Sequence, residues 1–265
     1  ALWFRKKLND CVKIIAAPKG CDYFDAIYLS DVVCKDPMFM AEGGAKNIAR
    51  RDGMGTTLLS AVETIGRIPD AYFQAIGSGT GTIAAWENNL RLIEDGRFGT
   101  HKMRLYPSQN DPFTIMYDSW KADSRQLVPL SPEDARHQAS VIKAKVLSNR
   151  KPPYPIAGGL FDAMKDAGGD MFKVNNDEID FWKAKFLELE GVDIYSAAAV
   201  ATASLAQAIE EGKVGSDEVI MLNITGGGEK RSKAEFDVIQ AKPALVLDPA
   251  LPEEEIISKV KELFK

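Results

Sequence analysis

The sequence predicts an α/β protein with three layers, in which a mostly parallel sheet is flanked by helices. Two observations support this fold class. Short apolar runs alternate with longer segments of helical periodicity, and glycine-rich turns follow two of those runs. A length of 265 residues allows one large domain or two smaller ones, and it suffices to bury a full core without disulfides or a structural metal.

The elements follow in order along the chain, since apolar runs between turn residues predict strands and apolar residues three or four apart predict helices. The predicted strands are 12–17, 71–76, 102–106, 171–174 and 219–224, the last being the clearest buried strand. The predicted helices are 22–34, 53–66, 82–94, one that begins at Ser131, 157–167, 177–190, 195–211 and 253–265. The predicted irregular segments are 35–51, a long loop over 107–130 and a proline-rich break over 149–155.

Composition narrows the classes of function. With 33 basic and 38 acidic residues, the net charge of −5 argues against a general nucleic-acid binder or a binder of anionic membranes. The longest uncharged apolar stretch, 195–209, is too short to span a bilayer, and no signal peptide is visible. Cys11, Cys21 and Cys34 match no zinc-binding spacing, and their number is odd for a disulfide framework. We therefore expect reduced thiols and a cytoplasmic location.

The strongest motif is a glycine-rich turn between a predicted strand and the helix after it. It consists of Gly77, Ser78, Gly79, Thr80, Gly81 and Thr82. Glycines let backbone N–H groups approach an anion, and the following helix places its positive end there. The alternative is a tight turn without a ligand, but the interleaved hydroxyls exceed what such a turn needs. The dinucleotide fingerprint is excluded because Thr82 stands where its last glycine belongs, and the P-loop because no Gly-Lys-Ser/Thr follows.

A second glycine-rich turn follows the predicted strand 219–224. Asn223 and Thr225 precede the glycines at 226–228. Because ligands of open parallel sheets bind beyond the carboxyl ends of strands, we expect both turns at one edge, where Thr225 offers a neutral hydroxyl. The alternative is a flexible turn.

Other chemistries have weaker support. His101 and His137 lie in polar stretches, so no His-based nucleophile arrangement is expected, and no cluster has metal-ligand spacing. The acids within 177–180 suit the start of a helix better than a catalytic pair. A basic cluster precedes the helix at 53–66, and it could hold an anionic substrate or form a solvated face. Its residues are Lys46, Arg50 and Arg51.

On these residues the chain resembles the fold-type II pyridoxal-phosphate enzymes, which share the tryptophan synthase β-like fold, and within them the threonine synthase branch. The resemblance extends from about Val12 to Phe264 and is carried by three segments: 51–77, 190–212 and 223–226. Threonine synthases usually continue the last motif as Thr-Gly-His-Gly-Leu-Lys, whereas Gly-Gly-Gly-Glu-Lys follows Thr225 here. With the extra hydroxyls of the first turn, this looks like the cysteate synthase family of coenzyme M biosynthesis.

That resemblance implies pyridoxal 5′-phosphate as cofactor, with its phosphate at 77–82 and its pyridine nitrogen bonded to Thr225. It implies a β-replacement that converts O-phospho-L-serine and sulfite to L-cysteate and phosphate, with Lys46, Arg50 and Arg51 as candidates for binding the two anions. It also implies a homodimer that acts on small molecules, without nucleic acid or membrane. The alternative within the branch is threonine synthase, which acts on O-phosphohomoserine.

The family's Schiff-base lysine lies in a Ser-Phe-Lys-like motif that is not found in this chain, so no catalytic residue is assigned. The sequence begins at Ala1 rather than Met, and we expect an N-terminally truncated chain that is inactive alone. Residues 1–50 would be part of a small domain, and 51–265 a large cofactor-binding domain without its N-terminal portion. The alternative of another class is a non-catalytic fragment that binds phosphate or serves a structural role.

Overall fold

The structure, a computed structural model, describes residues 3–4 and 8–265. The strands are β1 (Trp3–Phe4), β2 (Ile15–Ala16), β3 (Ala71–Ala75), β4 (Arg104–Asn110), β5 (Phe172–Val174), β6 (Ile220–Leu222), β7 (Ile239–Gln240) and β8 (Leu245–Val246). The α-helices are α1 (Tyr23–Val33), α2 (Ile48–Ile65), α3 (Thr80–Asp95), α4 (Ile115–Lys121), α5 (Pro132–Val141), α6 (Leu160–Ala167), α7 (Asn176–Glu190), α8 (Ser196–Glu210), α9 (Glu229–Glu235) and α10 (Glu253–Glu262). Two short 3₁₀ helices span Gly44–Lys46 and Lys145–Leu147.

The chain divides into two compact units. One consists of Ala1–Glu42 with Gly228–Lys265, and the other is Gly43–Gly227. The C-terminal segment thus groups with the N-terminal segment, and both glycine-rich turns lie almost wholly in the second unit. The expected division at residue 50 concerns the domains of a whole enzyme and stays a prediction.

The unit Gly43–Gly227 is built on a four-stranded sheet in the order β5-β4-β3-β6, and every neighbouring pair is parallel. Strand β3 is buried along its whole length. Its side chains alternate between two cores: Tyr72 packs with residues of α2, α3 and α6, whereas Phe73 packs with a residue of α8. This arrangement confirms the predicted α/β class with helices on both faces of a parallel sheet.

The other unit has its own small core. Strand β2 pairs parallel with β8, β1 pairs antiparallel with β7, and α1 packs against α10. Buried side chains of both helices meet Leu247 between them, including Leu29 and Val32 of α1 and Ile256 of α10. The predicted strand 12–17 is thus reduced to Ile15–Ala16, while the predicted helix 22–34 is confirmed as α1.

Three further expectations about local structure are wrong in an informative way. The predicted irregular segment 35–51 contains a 3₁₀ turn and the start of α2, whose N-cap Asn47 accepts from the N–H of Arg50 at 3.2 Å. The predicted loop 107–130 contains the end of β4 and all of α4. Strand β6, expected to be the clearest buried strand, is only half-buried because it lies at an edge of the sheet.

The helix that was expected to begin at Ser131 is confirmed as α5. Pro132 occupies the first helical position, and the Ser131 hydroxyl accepts from the N–H of Asp134 at 3.0 Å. The acids near 177–180 also begin a helix, as expected: Asn175 and Glu178 form a reciprocal capping box at the start of α7.

A cluster of charged groups supports the sheet where β5 begins. Burial opposes ionisation of the Asp170 carboxyl, but hydrogen bonds from Lys121 and Lys213, the N–H of Met171 and the indole of Trp120 outweigh it and lower the pKa of Asp170 to about 2. Lys121 Nζ lies 2.6 Å from Asp170 Oδ1, and the Asp170 side chain is only 18% exposed. This carboxylate therefore favours the folded state only where it is ionised.

We expect Asp170→Asn to lower the free energy of unfolding by about 2 kcal/mol at neutral pH. A lowered folded-state pKa means that the stabilisation is complete above the ordinary value of 3.8 and is lost as the pH falls towards 2. The variant should therefore lose less stability than the parent between these two pH values. Urea denaturation as a function of pH measures both effects, and Asp217→Asn at an exposed position is the matched control. Equal acid sensitivity of the parent and Asp170→Asn would contradict the assignment.

Candidate functional site

The two glycine-rich turns lie at one edge of the central sheet. Strands β3 and β6 are parallel neighbours with Phe73 opposite Leu222, and the N–H of Asn223 donates to the carbonyl of Phe73 at 2.9 Å. The turn 77–82 follows β3, and Thr225 follows β6. Both turns therefore leave the carboxyl ends of adjacent strands, where parallel sheets bind their ligands.

The first turn presents unpaired backbone donors. Gly79 is the N-cap of α3 in the left-handed conformation, at φ +79°, and no side chain caps the helix there. Within the described part of the chain, the N–H groups of Gly79, Gly81 and Thr82 have no hydrogen-bond acceptor. The hydroxyls of Ser78 and Thr80 lie 2.8 Å apart beside them. The start of this 16-residue helix can therefore receive an anion.

The three glycines of the turn are also required by close packing. A Cβ on Gly77 would lie 2.9 Å from the carbonyl oxygen of Val146, and one on Gly79 would lie 2.9 Å from Leu160 Cδ2. A Cβ on Gly81 would lie 2.4 Å from Gln74 Oε1. Packing thus explains the absence of side chains at these positions, but it does not explain why the N–H groups are left unpaired.

A buried hydrogen-bonded chain connects the two strands beneath the turn. Asn223 Nδ2 donates to the Tyr72 hydroxyl at 2.9 Å, and that hydroxyl donates to Gln74 Oε1 at 2.7 Å. Tyr72 is fully buried and Gln74 is 7% exposed. Burial raises the pKa of Tyr72 far above its ordinary value, against a smaller opposite effect of the Asn223 hydrogen bond, so the phenol keeps its proton. Sequence reasoning did not select Tyr72 or Gln74, although a glutamine inside an apolar run was a usable signal.

Thr225 is exposed in the segment that leaves β6. The next residue anchors this segment to the start of α8: the carbonyl of Gly226 accepts from the N–H of Tyr195 at 3.0 Å. A Cβ on Gly226 would lie 2.8 Å from the Tyr195 ring, so the ring packs directly on this turn. The turn therefore contacts the start of α8.

The three basic residues occupy the 3₁₀ turn and the first turn of α2. Lys46 and Arg50 are exposed. The Arg51 guanidinium is already engaged, because its Nε lies 3.2 Å from Glu87 of α3 and its Nη1 donates to the carbonyl of Ala45 at 3.3 Å. Arg51 thus joins α2 to α3, and a role of the three residues in substrate binding stays a prediction.

Lysines near the glycine-rich turn 77–82 also have partners. Lys143 forms an ion pair with Asp180, and Lys145 donates to the carbonyls of Ala139 and Ser140. Among the described residues, no group of His, Cys, Asp and Glu side chains could hold a metal ion. His101 Nε2 lies 3.2 Å from the carbonyl oxygen of Pro69 and 3.5 Å from Asp70 Oδ1.

Comparison with known proteins matches the chain to a family. Residues 4–226 match the family described as pyridoxal-phosphate dependent enzyme. The cysteate synthase of Methanosarcina acetivorans is 48% identical over 257 residues, which are 96% of this chain and 62% of that protein. The cysteate synthase of Methanocella paludicola is 46% identical over 263 residues, which are 98% of this chain and 61% of that protein. The chain thus spans about three fifths of the length of these relatives.

Among solved structures, a threonine deaminase from T.th. superposes with a TM-score of 0.50 at 13% sequence identity. The match covers 69% of this chain and 58% of that chain. At this identity the likeness concerns the fold, and it agrees with a parallel sheet flanked by helices.

Proposed function

Because the chain belongs to the family of pyridoxal-phosphate dependent enzymes, we propose that it is part of a cysteate synthase, which converts O-phospho-L-serine and sulfite to L-cysteate and phosphate. The observation that carries the proposal is the pair of turns at one sheet edge, one with unpaired N–H groups and one with an exposed threonine hydroxyl. Identities of 46–48% to proteins named cysteate synthase, over nearly the whole chain, support this reaction over others of the family.

The residues at this edge fit the cofactor. The phosphate of pyridoxal phosphate would be held by the N–H groups of Gly79, Gly81 and Thr82, with Gly77 and the hydroxyls of Ser78 and Thr80 completing the turn. The Thr82 hydroxyl is fully buried and has no hydrogen-bond partner among the described residues, so an anion oxygen at this turn would satisfy a polar atom that is otherwise unpaired. Thr225 would contact the pyridine nitrogen.

When bound, pyridoxal phosphate supplies an electron sink for the α-carbon of the amino-acid substrate. Thr225 would donate a hydrogen bond to an unprotonated ring nitrogen, which an ionised carboxylate at this position could not do. A neutral partner keeps the sink weak and so favours loss of a β-substituent, here phosphate. The exposed cations Lys46 and Arg50 would attract the anionic substrates, with Arg51 fixing the start of α2, which carries Arg50.

The direct test uses the polypeptide of the complete reading frame that contains this chain. Incubation with pyridoxal phosphate, O-phospho-L-serine and sulfite should release phosphate and form cysteate, which mass spectrometry detects. Formation of threonine from O-phosphohomoserine, without cysteate, would contradict the proposal and support the threonine synthase alternative.

In the same assay, Thr225→Val should lower kcat at least about 10-fold, because it removes one hydrogen bond to the reacting system while keeping the shape of the side chain. Thr225→Ser retains a hydroxyl and should keep most of the activity. Equal activity of the Val and Ser variants would exclude a role for the hydroxyl.

The 265-residue chain alone should form no stable covalent link with the cofactor, because no lysine in it follows the family's motif. After incubation with pyridoxal phosphate and reduction with borohydride, peptide mass spectrometry should find no lysine that is modified stoichiometrically. A single fully modified lysine would contradict this expectation and assign the missing group within the chain.

The proposal extends to the oligomeric state, the location and the partners of the protein. We propose a cytoplasmic homodimer that acts on small molecules and binds neither nucleic acid nor membranes. No helix in the described part of the chain has the length and apolarity needed to cross a bilayer. Light scattering of the complete polypeptide measures the oligomeric state, and a monomeric mass would contradict the dimer.

A further inference from the structure

We propose that the side-chain amide of Gln74, beneath the turn 77–82, donates a further hydrogen bond to the bound phosphate. Tyr72 and Asn223 orient this amide so that its nitrogen faces the phosphate. The inference rests on the proposed function, since it adds a residue on β3 to the anion site at the start of α3. Gln74 would touch the ligand, whereas Tyr72 and Asn223 act as positioning residues through it.

The direction of the buried hydrogen-bonded chain determines which amide atom remains available. An amide nitrogen can only donate, so the bond from Asn223 Nδ2 uses the Tyr72 oxygen as an acceptor, at 2.9 Å. The single proton of the Tyr72 hydroxyl then goes to Gln74 Oε1, at 2.7 Å. This bond occupies Oε1 and fixes the orientation of the amide. The Gln74 atom left to bind a ligand is therefore Nε2, which is a hydrogen-bond donor.

The location of Gln74 places this donor at the anion site. A Cβ on Gly81 would lie 2.4 Å from Gln74 Oε1 and 2.5 Å from Nε2, so the amide lies against the first turn of α3. Gln74 is only 7% exposed, and within the described residues its Nε2 has no acceptor. An acceptor from outside the chain would supply the hydrogen bond that this nitrogen lacks.

A second unpaired group lies in the same helical turn. Thr82 Oγ1 is fully buried and lacks a partner among the described residues. Backbone N–H groups, a hydroxyl and an amide nitrogen therefore surround the start of α3 without acceptors. A tetrahedral phosphate offers several acceptor oxygens, and a neutral apolar ligand offers none, so the arrangement points to a phosphate group.

The experiment measures equilibrium binding of inorganic phosphate, pyridoxal phosphate and pyridoxal to the cofactor-free polypeptide of the complete reading frame by calorimetry. Gln74→Met keeps the length of the side chain and removes the donor, and Gln74→Glu keeps an acceptor for Tyr72 while replacing the amide nitrogen with an anionic oxygen. We expect the Met variant to bind phosphate and pyridoxal phosphate about 10-fold more weakly, and the Glu variant more weakly still. Pyridoxal lacks the phosphate, so its affinity should be the same in the variants and in the parent. Gln126→Met, at an exposed position, is the matched control.

Tyr72→Phe leaves Gln74 in place but frees its amide to rotate, so it should weaken phosphate binding by a smaller factor, about 3-fold, again without an effect on pyridoxal. Thermal unfolding without ligand shows whether the Gln74 variants fold. If they do not fold, Tyr72→Phe tests the role of Gln74 in their place.

Different results would contradict the role of Gln74 and the proposed function. Phosphate affinity that is unchanged in the folded Gln74 and Tyr72 variants would overturn the role of Gln74 and leave the proposed function intact. Failure of the unmodified complete polypeptide to bind either inorganic phosphate or pyridoxal phosphate would overturn both. Weaker binding of phosphate-bearing ligands alone, in the expected order, supports the inference.

Discussion

Gly81→Ala should weaken the binding of inorganic phosphate and pyridoxal phosphate about 100-fold, because it disturbs several hydrogen-bond donors at once. The new Cβ would lie 2.4 to 2.9 Å from three atoms of the Gln74 amide, which Tyr72 holds in a buried position. Either the amide or the first turn of α3 must move to relieve this contact. Both movements would displace the N–H groups of Gly81 and Thr82 from the positions in which they would bind an anion.

The change in binding should exceed the change in stability, since the obstructing atoms end a side chain rather than belonging to the backbone. Gly53→Ala on the neighbouring helix α2 is the matched control, because nothing lies within 4 Å of its Cβ. That control should leave binding unchanged and raise the free energy of unfolding by about 0.5–1 kcal/mol, through the better helix propensity of alanine. Calorimetry measures the affinities, and wild-type affinity of Gly81→Ala would remove the turn from the cofactor site.

Gly169→Ala should destabilise the unit Gly43–Gly227 by about 4 kcal/mol or more, which places it among the most damaging single substitutions. Gly169 has φ +102°, and its Cβ would lie 2.0 Å from the carbonyl oxygen of Leu105. Leu105 is fully buried in β4, its N–H donates to the carbonyl of Gly168, and its carbonyl accepts from the N–H of Asp170. These backbone atoms cannot rotate away, so the pairing that leads into β5 must open.

Gly168→Ala separates this clash from backbone strain. Gly168 also has a positive φ, +74°, but nothing lies within 4 Å of its Cβ. Strain alone should cost about 1–3 kcal/mol, less than the clash at the next position. Urea denaturation followed by circular dichroism measures the difference, and equal destabilisation by the two variants would show that strain, not the contact with Leu105, determines the cost.

The α/β class and the placement of both glycine-rich turns could be predicted from the sequence because they depend on local patterns. Apolar runs and helical periodicity mark strands and helices within a few residues, and parallel strands place their carboxyl ends on one side. The start of α5 was predictable for the same reason, since Ser131 bonds to Asp134 only three residues away. Recognition of the family rested on such local motifs.

Helix α4 was missed because its cap comes from another element. The side-chain oxygen of Gln109, on β4, accepts from the N–H groups of Met116 and Tyr117, both at 2.9 Å. The local N-cap, Thr114, makes no side-chain cap. A segment whose first turn is satisfied in this way carries no capping signal of its own, and so it resembled a loop.

The hydrogen-bonded chain beneath the anion site could not be predicted from local sequence patterns, because its residues come from distant segments. Tyr72 and Asn223 are 151 positions apart, and they meet because β3 and β6 are neighbours in the sheet. Arg51 likewise looked available for a substrate, but packing of α2 on α3 brings it to Glu87. Patterns along the chain establish which residues can form a strand, a helix or a phosphate turn. Which polar groups are paired, and which are left for a ligand, depends on contacts between distant segments that no local pattern encodes.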